Sequence, residues 1–122
     1  MSTYLISLDQ QQPHLSLPFR CAIFFSGGRP ADPQALGLGK ERFLEPTQKN
    51  SPLRLPTANI WGRRDLRYGA ASEILSLFFE ESQREIFIHG GVHEIPGARA
   101  QEDLQKCVKA IRRTIEKASI DC

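Results

Sequence analysis

Apolar residues along this chain change their spacing several times, and each change marks an element. Residues 2–12 put Tyr4, Leu5 and Leu8 on one face of a short helix that Pro13 closes. A polar connector leads into Phe19-Arg20-Cys21-Ala22-Ile23-Phe24-Phe25, which stops at Ser26-Gly27-Gly28. That aromatic-rich run predicts a strand buried on both faces. Residues 29–56 hold five of the eight prolines and no sustained period. They predict a long irregular excursion with one helical turn near 40–44, and loops of that length often form lids or binding surfaces.

Regular spacing then returns. Residues 57–61 predict a short strand ended by Gly62, and residues 68–81 a helix with Ala71, Leu75, Phe78 and Phe79 on its buried face. Residues 85–88 predict a third strand, ended by Gly90-Gly91. Residues 99–117 predict an amphipathic helix whose stripe is Leu104, Val108, Ile111 and Ile115. Strands alternating with helices imply an α/β fold with about three parallel strands and right-handed crossovers. In such sheets chemistry gathers at the carboxyl ends of the strands.

Composition narrows the function classes. A length of 122 residues fits one domain, 1–122, and 40% apolar with 25% charged residues fits a globular one. Sixteen Lys and Arg against fourteen Asp and Glu leave a charge of +2 with the signs interspersed. No basic stripe results, so no nucleic-acid partner is expected. No apolar run approaches the roughly 20 residues of a membrane span, and the N-terminus lacks the basic start of a signal peptide. Cys21, Cys107 and Cys122 are an odd number with long gaps and no CxxC. That suits a reducing compartment, with the cytoplasm expected, and neither a disulfide framework nor a zinc ribbon.

Three clusters carry candidate chemistry. Gly37-Leu38-Gly39-Lys40 resembles part of a phosphate loop, but Gln34 stands where the first glycine belongs and Glu41 where a Ser or Thr belongs. It reads as a loop. His89, His93 and Glu94 have the spacing of two metal ligands on a helix, yet Gly90-Gly91 oppose that helix and no third ligand is in place. No metal or other cofactor is expected. The third cluster pairs two loops. Asp65 lies four residues beyond Trp61 and His93 five beyond Ile88, so both emerge at the carboxyl edge of neighbouring strands. An Asp that orients an imidazole is two-thirds of a nucleophilic triad, and Asp precedes His as the order in α/β-hydrolases requires. The competing reading pairs Asp65 with Arg63, Arg64 or Arg67 and leaves His93 in solvent.

Three blocks resemble the fungal-type family serine hydrolases: residues 19–30, ending Phe25-Ser26-Gly27-Gly28-Arg29-Pro30; residues 55–65, ending Trp61-Gly62-Arg63-Arg64-Asp65; and His89-Gly90-Gly91-Val92-His93-Glu94-Ile95-Pro96. The family's third block usually reads like HPGGHxVP, and Pro-Gly-Gly is here Gly-Gly-Val. The resemblance runs from Met1 to about Lys117 and implies a small α/β-hydrolase acting on acyl esters or thioesters. In fungi some members release polyketides from their synthases, which suggests secondary metabolism. Asp65 then matches the triad aspartate and His93 the triad histidine.

The resemblance also exposes a gap. The family's nucleophile sits in Gly-x-Ser-x-Gly between a strand and a helix, and no such motif occurs in these 122 residues. Residues 3–8 look like the tail of the nucleophile helix, so the chain is expected to be the C-terminal half of a hydrolase. Ser2, Ser7 and Ser26 lack the strained elbow, and Cys21 lies in a predicted buried strand, where a thiol is inert. Two functions follow: a serine hydrolase whose nucleophile lies outside this chain, or an inactive remnant, interaction module or truncated product. Without a neighbouring nucleophile strand, residues 21–25 are expected to expose an uncharged edge through which the chain self-associates.

Overall fold

The computed structural model describes residues 3–5, 18–46 and 52–120. Strands β1 (Ala22–Phe25), β2 (Thr57–Gly62) and β3 (Arg84–His89) lie parallel in the order β1-β2-β3. Helices α1 (Pro33–Gly37), α2 (Gly69–Ser76) and α3 (Gln101–Ile120) accompany them. This is the α/β arrangement that the alternating pattern predicts. β2 is central and all six of its residues are buried.

The pleat sends successive side chains to opposite faces. On one face Phe24 joins Leu5, Leu53, Leu55, Leu75, Phe78 and Phe79. On the other, Ala58 and Ile60 meet Cys107, with Phe87 and Ile111 packed against them. α2 and the chain around Leu53 thus cover one face of the sheet, and α3 covers the other over β3 and β2.

Several expectations need correction. β1 is shorter than residues 19–25, and it is not buried on both faces: Ile23 and Phe25 are exposed because α3 packs over β2 and β3 instead. No helical turn forms at 40–44. The helix is α1, where Asp32 accepts the Gln34 N–H at 3.0 Å and Pro33 occupies the first turn. Asp followed by Pro is a start signal, because the carboxylate caps and the ring presets φ. Phe43 instead bridges antiparallel to Ala31, with Arg29 paired to Glu45 beside it.

The helix predicted to reach residue 81 ends at Ser76. Leu53 takes its place as partner: its N–H donates to Phe78 O and its carbonyl accepts the Glu80 N–H. Phe78 and Phe79 remain in the core, Phe78 in the turn after α2 and Phe79 in a parallel bridge to Leu53. Of the N-terminal helix expected over 2–12, residues 3–5 are helical and the others lie outside the described residues.

α3 also turns a different stripe inward. Cys107, Ala110, Thr114 and Ala118 are buried, whereas Val108 and Ile115 face solvent. At 3.6 residues per turn the buried line is rotated by roughly 85° from the line of large apolar residues. Small side chains let the helix approach the sheet closely, so size outranks hydropathy at that contact.

Candidate functional site

Gly62 ends β2 and His89 ends β3 at the same level of the sheet. Their loops continue the pairing: Arg63 N–H donates to His89 O at 2.8 Å and Arg64 N–H to Gly91 O at 3.0 Å. Arg64 Nε reaches Gly90 O at 2.9 Å. The two loops are therefore tied together before either presents a side chain.

Asp65 follows in a tight turn. Its N–H donates to Gly62 O, its carbonyl accepts the Gly69 N–H that opens α2, and its Oδ1 accepts the Tyr68 N–H at 2.9 Å. The carboxylate is thereby aimed and its first oxygen is occupied. The second, Oδ2, lies 2.8 Å from His93 Nδ1. Asp65's side chain is 3% exposed and that of His93 57%. The bond from His93, aided by the Tyr68 N–H, holds the Asp65 carboxyl below its ordinary value although burial pushes it upward.

An ionised carboxylate can only accept, so Nδ1 carries the proton of this contact and Nε2 lies on the side of the ring away from Asp65. Tyr68 flanks the imidazole, ring centroids 4.9 Å apart and tilted 47°. Arg64 is engaged with Gly90, and Arg67 meets Asp65 through its backbone N–H while its guanidinium lies over the Tyr68 ring. The sequence brings together the pair it singled out.

Residues that the sequence reading left without a role build the His93 loop. His89 is buried, and its Nδ1 accepts the Gly91 N–H at 3.0 Å. Both Glu94 carboxylate oxygens accept the Val92 N–H, at 3.1 and 3.0 Å. Backbone N–H groups at Glu94 itself and at Val92 hold the Glu94 carboxyl below its ordinary value. Asp103 Oδ2 accepts the Gly90 N–H at 3.0 Å, joining the loop to the start of α3. The only sequence signal for these roles was polar residues beside a Gly-Gly pair. His89 and Glu94 thus hold the loop backbone, and among the described residues no three His, Cys, Asp or Glu cluster around a cation position.

Ser26 follows β1 with φ +50°, the left-handed region, and its Oγ lies 3.4 Å from the His93 carbonyl. Gly37-Leu38-Gly39-Lys40 closes α1: Gly39 has φ +73° and its N–H donates to Leu36 O. That is a helix C-terminus, where glycine relieves the left-handed turn, and not a phosphate cradle. A cavity of about 550 Å³ opens beside the His93 loop, lined by Arg64, His89, Glu94, Arg99 and Asp103, and neither Asp65 nor His93 lines it.

The family described as Serine hydrolase (FSH1) matches residues 1–105. No curated protein and no solved structure matches the chain. The parallel sheet with flanking helices is consistent with part of an α/β-hydrolase fold. Because the match spans most of the 122 residues, the chain belongs to the serine hydrolase (FSH1) family.

Proposed function

We propose that this chain supplies the acid–base half of an acyl-transfer site that hydrolyses esters or thioesters. The observation behind the reading is the 2.8 Å contact from Asp65 Oδ2 to His93 Nδ1, with the far side of the imidazole exposed. Asp65 orients the ring and stabilises its protonated form, and His93 Nε2 is the general base. The nucleophile is a serine outside these 122 residues, since no Gly-x-Ser-x-Gly occurs among them.

In the reaction Nε2 removes the serine proton as Oγ bonds to the acyl carbon. The tetrahedral intermediate collapses with expulsion of the alcohol or thiol, which takes the proton from His93. Water, deprotonated by the same nitrogen, then releases the acid and frees the serine. Segment 29–56, which follows β1, is the proposed source of acyl selectivity. Secondary metabolism and a cytoplasmic location are the setting we assign.

Fluorophosphonate labelling tests the reading. The 122-residue chain should take no label, because the imidazole has no hydroxyl to activate. A longer product that includes an upstream Gly-x-Ser-x-Gly should label at that serine and lose labelling in His93→Ala. Label at a serine of the short chain, or undiminished labelling in His93→Ala, refutes it.

A further inference from the structure

Tyr68 touches both Asp65 and His93. Its backbone N–H donates to Asp65 Oδ1 at 2.9 Å, and its ring lies against the imidazole with centroids 4.9 Å apart. Among the described residues no other ring packs on His93.

The residue that makes these contacts is itself held. Tyr68 stands at the N-cap of α2, and its carbonyl accepts the Ser72 N–H in the first turn of that helix. Its main chain is thus fixed on both sides, and only two side-chain angles remain to aim the ring. The Arg67 guanidinium lies 5.2 Å from the ring centroid and braces it.

One hydrogen bond does not fix the plane of an imidazole. The chain holds the Cβ of His93 and Asp65 holds Nδ1, at 2.8 Å. About the line through those two points the ring can still swing, and the swing carries Nε2 with it. An aromatic surface beside the ring resists that motion, since tilted ring pairs attract at centroid separations of roughly 4.5–7 Å. Tyr68 is that surface. Its hydroxyl makes no hydrogen bond among the described residues, so the ring and not the hydroxyl is the part in use.

We propose that Tyr68 is a positioning residue. Its backbone aims the Asp65 carboxylate, and its ring sets the plane of His93 so that Nε2 keeps one direction. The role depends on His93 being the general base proposed above. A general base must come within about 2.6–3.2 Å of the proton that it takes. A misplacement of about 1 Å can cost on the order of 100-fold.

Two measurements test the proposal. In the 122-residue chain, proton–nitrogen NMR of the His93 ring reads how firmly Nδ1 is held. The Nδ1 proton should be sharp in the parent and in Tyr68→Phe, and broadened by exchange in Tyr68→Leu. In the longer product with the upstream serine, fluorophosphonate labelling should slow about 10- to 100-fold in Tyr68→Leu and stay within about twofold of the parent in Tyr68→Phe. Every variant keeps the backbone N–H to Asp65, so the signals of α2 should hold still. Tyr68→Ser supplies a favoured N-cap residue without a ring, and it decides if the leucine variant does not fold. A parent-like Nδ1 proton or parent-like labelling in the variants without a ring overturns the role. So does a Tyr68→Phe that behaves as Tyr68→Leu does. A longer product that takes no label at all overturns the general base instead, and the NMR comparison then decides alone whether Tyr68 orients the ring.

Discussion

Gly62 touches the backbone of Val92: a Cβ built on Gly62 would overlap the Val92 carbonyl oxygen and crowd that of Gly91. The end of β2 and the loop that carries His93 are therefore in backbone contact, and glycine is what the contact requires. Gly62→Ala forces the loop away. Its stability should fall by about 1–3 kcal/mol, the usual range for overpacking. Urea unfolding checks the loss, and a shifted His93 ring resonance with unchanged signals from α3 checks that the damage is local.

The Asp65 carboxyl is held below its ordinary value of 3.8, first by His93 and then by backbone N–H groups. A carboxyl lowered in the folded state stabilises the fold above its unfolded value, and that contribution disappears as pH falls through the folded one. Asp65→Asn removes it. The melting temperature of the parent should exceed that of Asp65→Asn near neutral pH, and the gap should close on acidification below the ordinary carboxylate range. Melting curves of both proteins across that range measure it. A gap that stays constant shows that Asp65 acts only by shape.

The loop that presents His93 leans on its neighbours' side chains. Glu94 accepts the Val92 N–H and His89 the Gly91 N–H. Glu94→Gln keeps one acceptor and Glu94→Ala keeps none. Hydrogen exchange at Val92 should rise modestly in the first and strongly in the second. Equal protection in all three proteins removes Glu94 from the loop's support.

Much of the arrangement was legible because it rests on local rules. Strand endings at Gly62 and before Gly90 fixed the carboxyl edge, and from that edge alone Asp65 and His93 came together. What sequence could not supply was competition for backbone. Leu53 captures the carbonyl of Phe78, and this ends α2 at Ser76 although Phe78 and Phe79 keep the helical spacing. Asp32 with Pro33 was a readable start signal, and the apparent turn at 40–44 masked it. The roles of His89 and Glu94 had no pattern to betray them, because a side chain that accepts from a neighbouring loop N–H leaves no spacing rule.

Cys107 offers a chemical probe of the α3 contact. It is buried against Ala58 and Ile60, and burial, then Asp103, pushes its thiol above the ordinary value. A thiol with little thiolate and no access reacts slowly. Peptide-resolved alkylation of the native protein should spare Cys107 while half-buried Cys21 is labelled, and denaturant should remove the difference. Labelling of Cys107 at the rate of Cys21 means that α3 detaches readily.

The rotation of α3 makes opposite predictions for residues on its two lines. Val108 and Ile115 are 43% and 49% exposed, so neither is anchored in the sheet contact despite lying on the line of large apolar residues. Replacing both with Gln should change stability by no more than about 1 kcal/mol, as for surface sites, each within roughly 0.5 kcal/mol. Ala110 and Thr114, by contrast, are buried where the helix meets the sheet, and Thr114 Oγ1 donates to Ala110 O at 2.9 Å. Ala110→Leu adds three carbons to a close-packed contact and should cost about 1–3 kcal/mol. Denaturant melts of the two variants decide between the lines. If the Val108/Ile115 double variant is the weaker one, the stripe of large apolar residues faces the sheet and the rotation is wrong.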